Sequence, residues 1–104
     1  MINMKENRHL EDYVNKKYFF IGDYVGYHNG AYVVKNVKFK NDKGEFVKVD
    51  HFNIYTRQFN ATSSKFKKSD LRKQVAFYGV IDTYKHNIKE NGIDFCVRDV
   101  IVIR

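Results

Sequence analysis

Four histidines, His9, His28, His51 and His86, are the first residues to test for chemistry. A zinc ion needs three or four convergent N, S or O ligands, and these four are scattered with no ligand spacing. His51 follows Asp50, but neighbours on a strand face opposite ways. Asp82, Asp94 and Asp99 are the acids that can meet across two strands, as in a small metal-dependent nuclease. Asp99 interrupts an apolar run, which points instead to a bulge or a backbone hydrogen bond. Ser63-Ser64 has no nucleophile-elbow context, and there is no glycine-rich phosphate loop. Cys96 is the only cysteine, which excludes an intramolecular disulfide and a thiolate cluster; within its apolar stretch it reads as a buried or half-buried small hydrophobe. A basic ribonuclease toxin would draw on His, Arg, Lys and Tyr, but such enzymes open on longer helices than this N-terminus supplies. The expectation is a protein without catalysis, metal or cofactor.

The side chains favour binding instead. Lys and Arg total 19 against 12 acids, a net charge of +7, which attracts polyanions: nucleic acid first, then an anionic membrane surface or an acidic protein. Binding a single strand without sequence preference takes positive charge along the backbone path and exposed rings on which bases stack. Tyr27, Tyr32, Tyr55, Tyr78 and Tyr84 fall on or beside the expected strands, with Lys35, Lys38, Lys40, Lys48 and Arg57 near them. Residues 65–73 add Lys65, Lys67, Lys68, Arg72 and Lys73 against one acid, Asp70. Any one tyrosine equally suits a half-buried position with its hydroxyl at the surface, and the lysine segment equally suits a solvated loop. The interleaving of the two carries the reading. Phe39, Phe46, Phe77 and Phe95 are assigned to the core, while Phe52 is ambiguous.

The elements that must position these residues are strands. Leucine occurs only at Leu10 and Leu71, and Val, Ile, Phe and Tyr supply the bulk, types that suit a pleated sheet better than a helix. Leu10, Tyr13, Val14 and Tyr18 are spaced as one face of a short helix, so residues 1–16 form an N-terminal extension or short helix and 17–104 one domain. Tyr18 to Ile21 lead into a turn or bulge at Gly22-Asp23, and Tyr24 to His28 form a strand. Asn29-Gly30, the preferred centre of a tight hairpin, returns the chain along Ala31 to Lys40, with a bulge signal at Val34-Lys35. A second turn over Asn41 to Gly44 leads to Phe46 to Tyr55, whose alternation slips near Asp50, as if at a bulge. After a basic loop with a helical turn over Ser69 to Lys73, Val75 to Lys85 and Ile93 to Ile103 complete five strands. No run approaches ~20 apolar residues, and Met1 to Leu10 lack a secretory h-region. A reducing, cytoplasmic location fits.

Two tight hairpins, a long connection after the third strand and two further strands are the order of the five-stranded OB-fold barrel, with an SH3-like barrel as the alternative. The second half, from Phe52 to Ile103, resembles the single-stranded-DNA-binding protein family. Lys68-Ser69-Asp70 stands where that family carries a Lys-Gly-Asp-like step, Val75 to Ile81 corresponds to its fourth strand, Asn91-Gly92 to the hairpin turn and Val97 to Ile103 to its last strand. The resemblance covers about half of the chain. It implies an OB-like barrel that binds single-stranded DNA in replication or recombination, beside a polymerase, primase or helicase. The chain departs from the family in Ser69, in a thin apolar segment between strands three and four, and in lacking an acidic tail, which fits a small accessory protein of a phage or other mobile element. A barrel this small can also form a homo-oligomer through an exposed strand. The rival expectation is a protein-interaction module or inhibitor that docks on a replication or host protein.

Overall fold

The computed structural model describes residues 10–85 and 93–103, the side chains of 84, 85, 93 and 94 apart. The strands are β1 (Lys17–His28), β2 (Ala31–Lys40), β3 (Phe46–Tyr55), β4 (Gln74–Lys85) and β5 (Ile93–Val102). They form one antiparallel sheet in the order β3-β2-β1-β4-β5. The fourth strand returns to lie beside the first, which makes β1 to β4 a Greek key and gives the mainly β, OB-like, barrel-like arrangement. The sheet does not close by a continuous ladder. Phe59 makes a parallel bridge to Val100, the Asn60 amide donates to the Val100 carbonyl at 2.8 Å and the Val102 amide to Ser63 Oγ at 2.9 Å. The connection after β3 thus covers an edge that unpaired groups would otherwise present.

β2 and β3 match their expected limits because the turns before and after β2 are chemically explicit. Asn29 and Gly30 both take positive φ, 52° and 85°. In the second turn Asn41 Oδ1 accepts from the Lys43 and Glu45 amides, and Gly44 has φ 83°. β1 differs from expectation: Tyr18 to His28 are one strand, with no turn at Gly22. Gly22 is a point of close approach, where a Cβ would stand 2.7 Å from Val34 Cγ1 and 3.0 Å from the Lys35 carbonyl oxygen. The register against β2 shifts twice, between Ile21 and Asp23, where the sequence signals a turn or bulge, and between Tyr24 and Gly26, the latter at φ 129°. A compensating irregularity in β2 centres on Asn36, at φ 53°, whose Nδ2 donates to Asp23 Oδ2 at 3.1 Å. Asp99, at φ 52°, is the extra residue where the β4–β5 register shifts.

The slip in β3 resolves without a bulge in its own ladder. β2 and β3 stay in register from Ala31↔Tyr55 to Lys40↔Phe46, yet Val34 and Val37 are both buried, and so are Val49 and Phe52. Each pair is three residues apart, so the two strands change faces together and both halves reach the core. That core holds Phe20, Phe39, Phe77, Ile54, Ile81, Val97 and Val100. Leu10 is fully buried, in a 3-10 turn over residues 10–13, and Tyr13 and Val14 pack against the core. The Asn15 amide donates to the Ile81 carbonyl and the Ile81 amide to the Lys16 carbonyl, so residues 10–16 belong to the barrel. The connection from β3 to β4 carries only short 3-10 turns at Thr56–Gln58 and Lys68–Asp70. Among the described residues no helix is long and apolar enough to cross a membrane. The turn expected at Asn91-Gly92 lies outside the described residues.

Candidate nucleic-acid interface

Alternation from the buried Val37, Phe39 and Val49 puts Lys38, Lys40, Phe46 and Lys48 on the outer side of β2 and β3. The ladder pairs Lys38 with Lys48 and Lys40 with Phe46. Phe46 is 62% exposed, and the Lys38 and Lys40 ammonium groups lie 5.6 and 5.4 Å from its ring centroid. The core assignment of Phe46 is therefore corrected: it is the ring of a solvent-facing cation–π cluster. A signal for this was in the sequence, because Phe46 shares parity with Lys48 and not with Val47 and Val49.

Like charges directly opposite one another destabilise a sheet, and Lys38 and Lys48 are such a pair; the acid in their groove, Asp50, is engaged with His51 Nδ1 at 2.7 Å. None of the ion pairs among the described residues engages Lys17, Lys35, Lys38, Lys40 or Lys48. Open grooves flank the cluster. One, of about 300 Å³, is lined by Asn36, Val37, Lys38, Lys48, Val49 and Asp50. The other, of about 380 Å³, runs from Asp12 and Tyr13 past Asn41 and Glu45 to Phe46 and Lys48. Lys48 borders both. Lys35 is exposed farther along β2, paired in the ladders with Asp23 and His51.

The other expected residues fall elsewhere. Tyr32 is opposite the buried Ile54 and lies half-buried on the inner side at the barrel mouth, its ring 5.3 Å from Phe59 and 6.3 Å from Phe66. The expected surface position of Tyr32 is corrected, because the coupled face change turns this end of β2 inward. Tyr27 is exposed and rests edge-on against Tyr32 at 4.7 Å. Tyr55, one residue beyond Ile54, faces the opposite way, with the Arg57 guanidinium 5.3 Å from its ring. Lys65 is half-buried with its ammonium 5.4 Å from the Phe59 ring. Lys67 and Lys68 begin a turn in which Asp70 Oδ2 accepts from the Lys67 amide at 2.8 Å. The exposed Arg72 and Lys73 are anchored through backbone bonds to Tyr24, at 2.7 and 3.1 Å. The basic 65–73 segment thus wraps the mouth and does not run along β2–β3. Tyr78 stands on the outer face of β4, paired with Phe19; the Tyr84 side chain lies outside the described residues.

Asp82, Asp99 and Ser63 have structural partners. Arg98 donates to Asp82 at 3.0 Å, to Asp99 at 3.1 Å and to Asn15 at 3.1 Å; the Asp94 side chain lies outside the described residues. Ser63 Oγ donates to the Ser64 carbonyl while accepting from the Val102 amide. Cys96 is half-buried. Burial, with the Asp42 carboxylate adding to it, pushes the Tyr18 hydroxyl up to about 12. Burial likewise raises Tyr24, with Tyr32 contributing. Both are neutral core phenols at neutral pH. What the outer surface of β2–β3 can do is neutralise phosphates and stack a base. In comparison with known proteins, the chain matches no family model, no curated protein and no solved structure.

Proposed function

We propose that this protein binds single-stranded nucleic acid, single-stranded DNA in the first place, without sequence preference and without catalysis. The observation that carries the reading is the arrangement on β2 and β3: an exposed ring, Phe46, with two ammonium groups 5.6 and 5.4 Å from its centroid, next to an opposed lysine pair, Lys38 and Lys48, that joins no ion pair among the described residues. A phosphate backbone relieves that repulsion and a base finds the ring face, which is how single strands are held. Further cation–ring contacts, Lys17–Tyr78, Arg57–Tyr55 and Lys65–Phe59, lie elsewhere on the barrel at 5.3–5.4 Å. The reading includes a cytoplasmic role in replication or recombination, as an accessory protein of a phage or other mobile element.

Fluorescence anisotropy of a labelled ~30-nucleotide oligo-dT, with duplex and RNA competitors at about 50 and 200 mM salt, tests the proposal. Micromolar or tighter binding that prefers the single strand and weakens with salt is expected; no saturable binding at the lower salt overturns it. One observation favours a second reading. Tyr27 is exposed at the mouth, and the exposed Leu71 lies close to Gly26; such apolar surface suits docking on a polymerase, primase or helicase, since tyrosine is enriched at such contacts.

A further inference from the structure

The outer surface of β2–β3 continues onto β1 and β4. The ladders pair Lys38 with Ile21, Ile21 with Ala76 and Phe19 with Tyr78. Phe20 and Phe77, the inward neighbours, are fully buried, whereas Phe19 and Tyr78 point outward at 45% and 40% exposure. Their ring centroids are 5.3 Å apart at 59°, and the Lys17 ammonium lies 5.4 Å from the Tyr78 ring. A single exposed aromatic is ordinary on any surface. A cross-strand ring pair with its own cation, one that joins no ion pair among the described residues, beside a basic stripe, repeats the Phe46 arrangement. Phe46 on β3 and Phe19 on β1 are separated by two inter-strand spacings, ~10 Å. Of the acids near this surface, Asp23 is held by Asn36, Asp50 by His51, Glu45 by Asn41, and Asp82 and Asp99 by Arg98.

We propose that Phe19, Tyr78 and Lys17 form a second stacking station, so that a bound strand crosses the sheet from β3 over β2 to β1 and β4. This rests on the nucleic-acid reading above and adds a path to it. The ligand is a polynucleotide long enough to reach both stations. A short oligonucleotide occupies the more basic Phe46 station alone. Stacking of this kind accepts any base, because every base has a π-face. A polyanion suits the surface better than an apolar protein face, which would have to desolvate Lys17 and Lys38 with no acid to receive them.

A length series of oligo-dT, from about 4 to about 30 nucleotides, measured by anisotropy on the wild type, Phe46→Ala and the double variant Phe19→Ala/Tyr78→Ala, tests this. All the altered side chains are solvent-facing, so folding is checked simply by circular dichroism. The double variant is expected to bind the shortest oligonucleotides as the wild type does, to bind the long ones about tenfold more weakly and to occlude fewer nucleotides. Phe46→Ala weakens every length. If the double variant binds all lengths like the wild type, the second station is overturned while the β2–β3 interface stands. If the wild type binds no oligonucleotide, both readings fall. A wild-type dimer that the double variant dissolves, with unchanged DNA affinity, would assign the face to a second copy of this chain and also overturn the proposal.

Discussion

The outer surface of β2–β3 and the barrel mouth use the same residue types for opposite purposes. On the sheet, Phe46 is exposed to solvent with the Lys38 and Lys40 ammonium groups near its ring. At the mouth, Tyr24, Tyr32, Phe59 and Phe66 pack on one another, with Lys65 lying over Phe59. What separates them is the coupled change of face between Val34 and Val37 on β2 and between Val49 and Phe52 on β3. Because side chains alternate with period two, one such step exchanges the inner and outer sets. A ring is exposed or a core filler according to which side of that step it lies on.

That contrast predicts a separation of stability from binding. Phe66→Ala at the mouth is expected to cost about 3 kcal/mol, read by urea denaturation, because it opens a cavity under the β3–β4 connection. Phe46→Ala is expected to leave stability within about 0.5 kcal/mol and to weaken oligo-dT binding by 1–3 kcal/mol. Equal stability losses for the two variants would break the comparison. Lys48→Glu sharpens it further. Replacing the opposed lysines by an opposite-charge pair should raise stability by about 0.2–1 kcal/mol while weakening binding more than Lys43→Glu, which makes the same charge change in the turn. A stability gain without that extra loss of affinity would make the Lys38–Lys48 pair irrelevant to binding.

The smallest effect concerns alkaline pH. Tyr18 OH is buried without a hydrogen bond of good geometry, and its pKa is raised from 10.0 to about 12. The folded state therefore favours the neutral phenol: the contribution is fully present below pH 10 and is lost as pH rises from 10 towards 12. Tyr18→Phe keeps the ring and removes the ionisation, so its melting temperature should fall less than the wild type's between those values. Parallel melting curves at pH 9 and 11 measure the difference.

Much of the fold was legible because its turns are chemically explicit. Asn29-Gly30 and the Asn41 to Gly44 turn set the limits of β2, and Phe46 to Tyr55 were delimited in the same way. At Gly22-Asp23 the signal for a turn or bulge is met by a register shift and not by a turn, and the close approach of Val34 and Lys35 across the ladder has no local signature. The site was less legible. Alternation places Lys38, Lys40 and Lys48 on the outer side, whereas the apolar character of Phe46 points to the core and only its parity with Lys48 points outward. Phe19 was read as part of an apolar lead-in, although it alternates with the buried Tyr18 and Phe20. Tyr32 was placed on the surface because no local pattern reveals that two paired strands change face together.

Titration of ¹⁵N-labelled protein with oligo-dT, followed by NMR, tests the central claim most directly. The account predicts saturable amide shifts concentrated at Lys38, Lys40, Phe46 and Lys48, with smaller ones at Phe19 and Tyr78. Shifts confined to Tyr27 and Leu71 to Lys73 at the mouth, or no shifts at all, would contradict it.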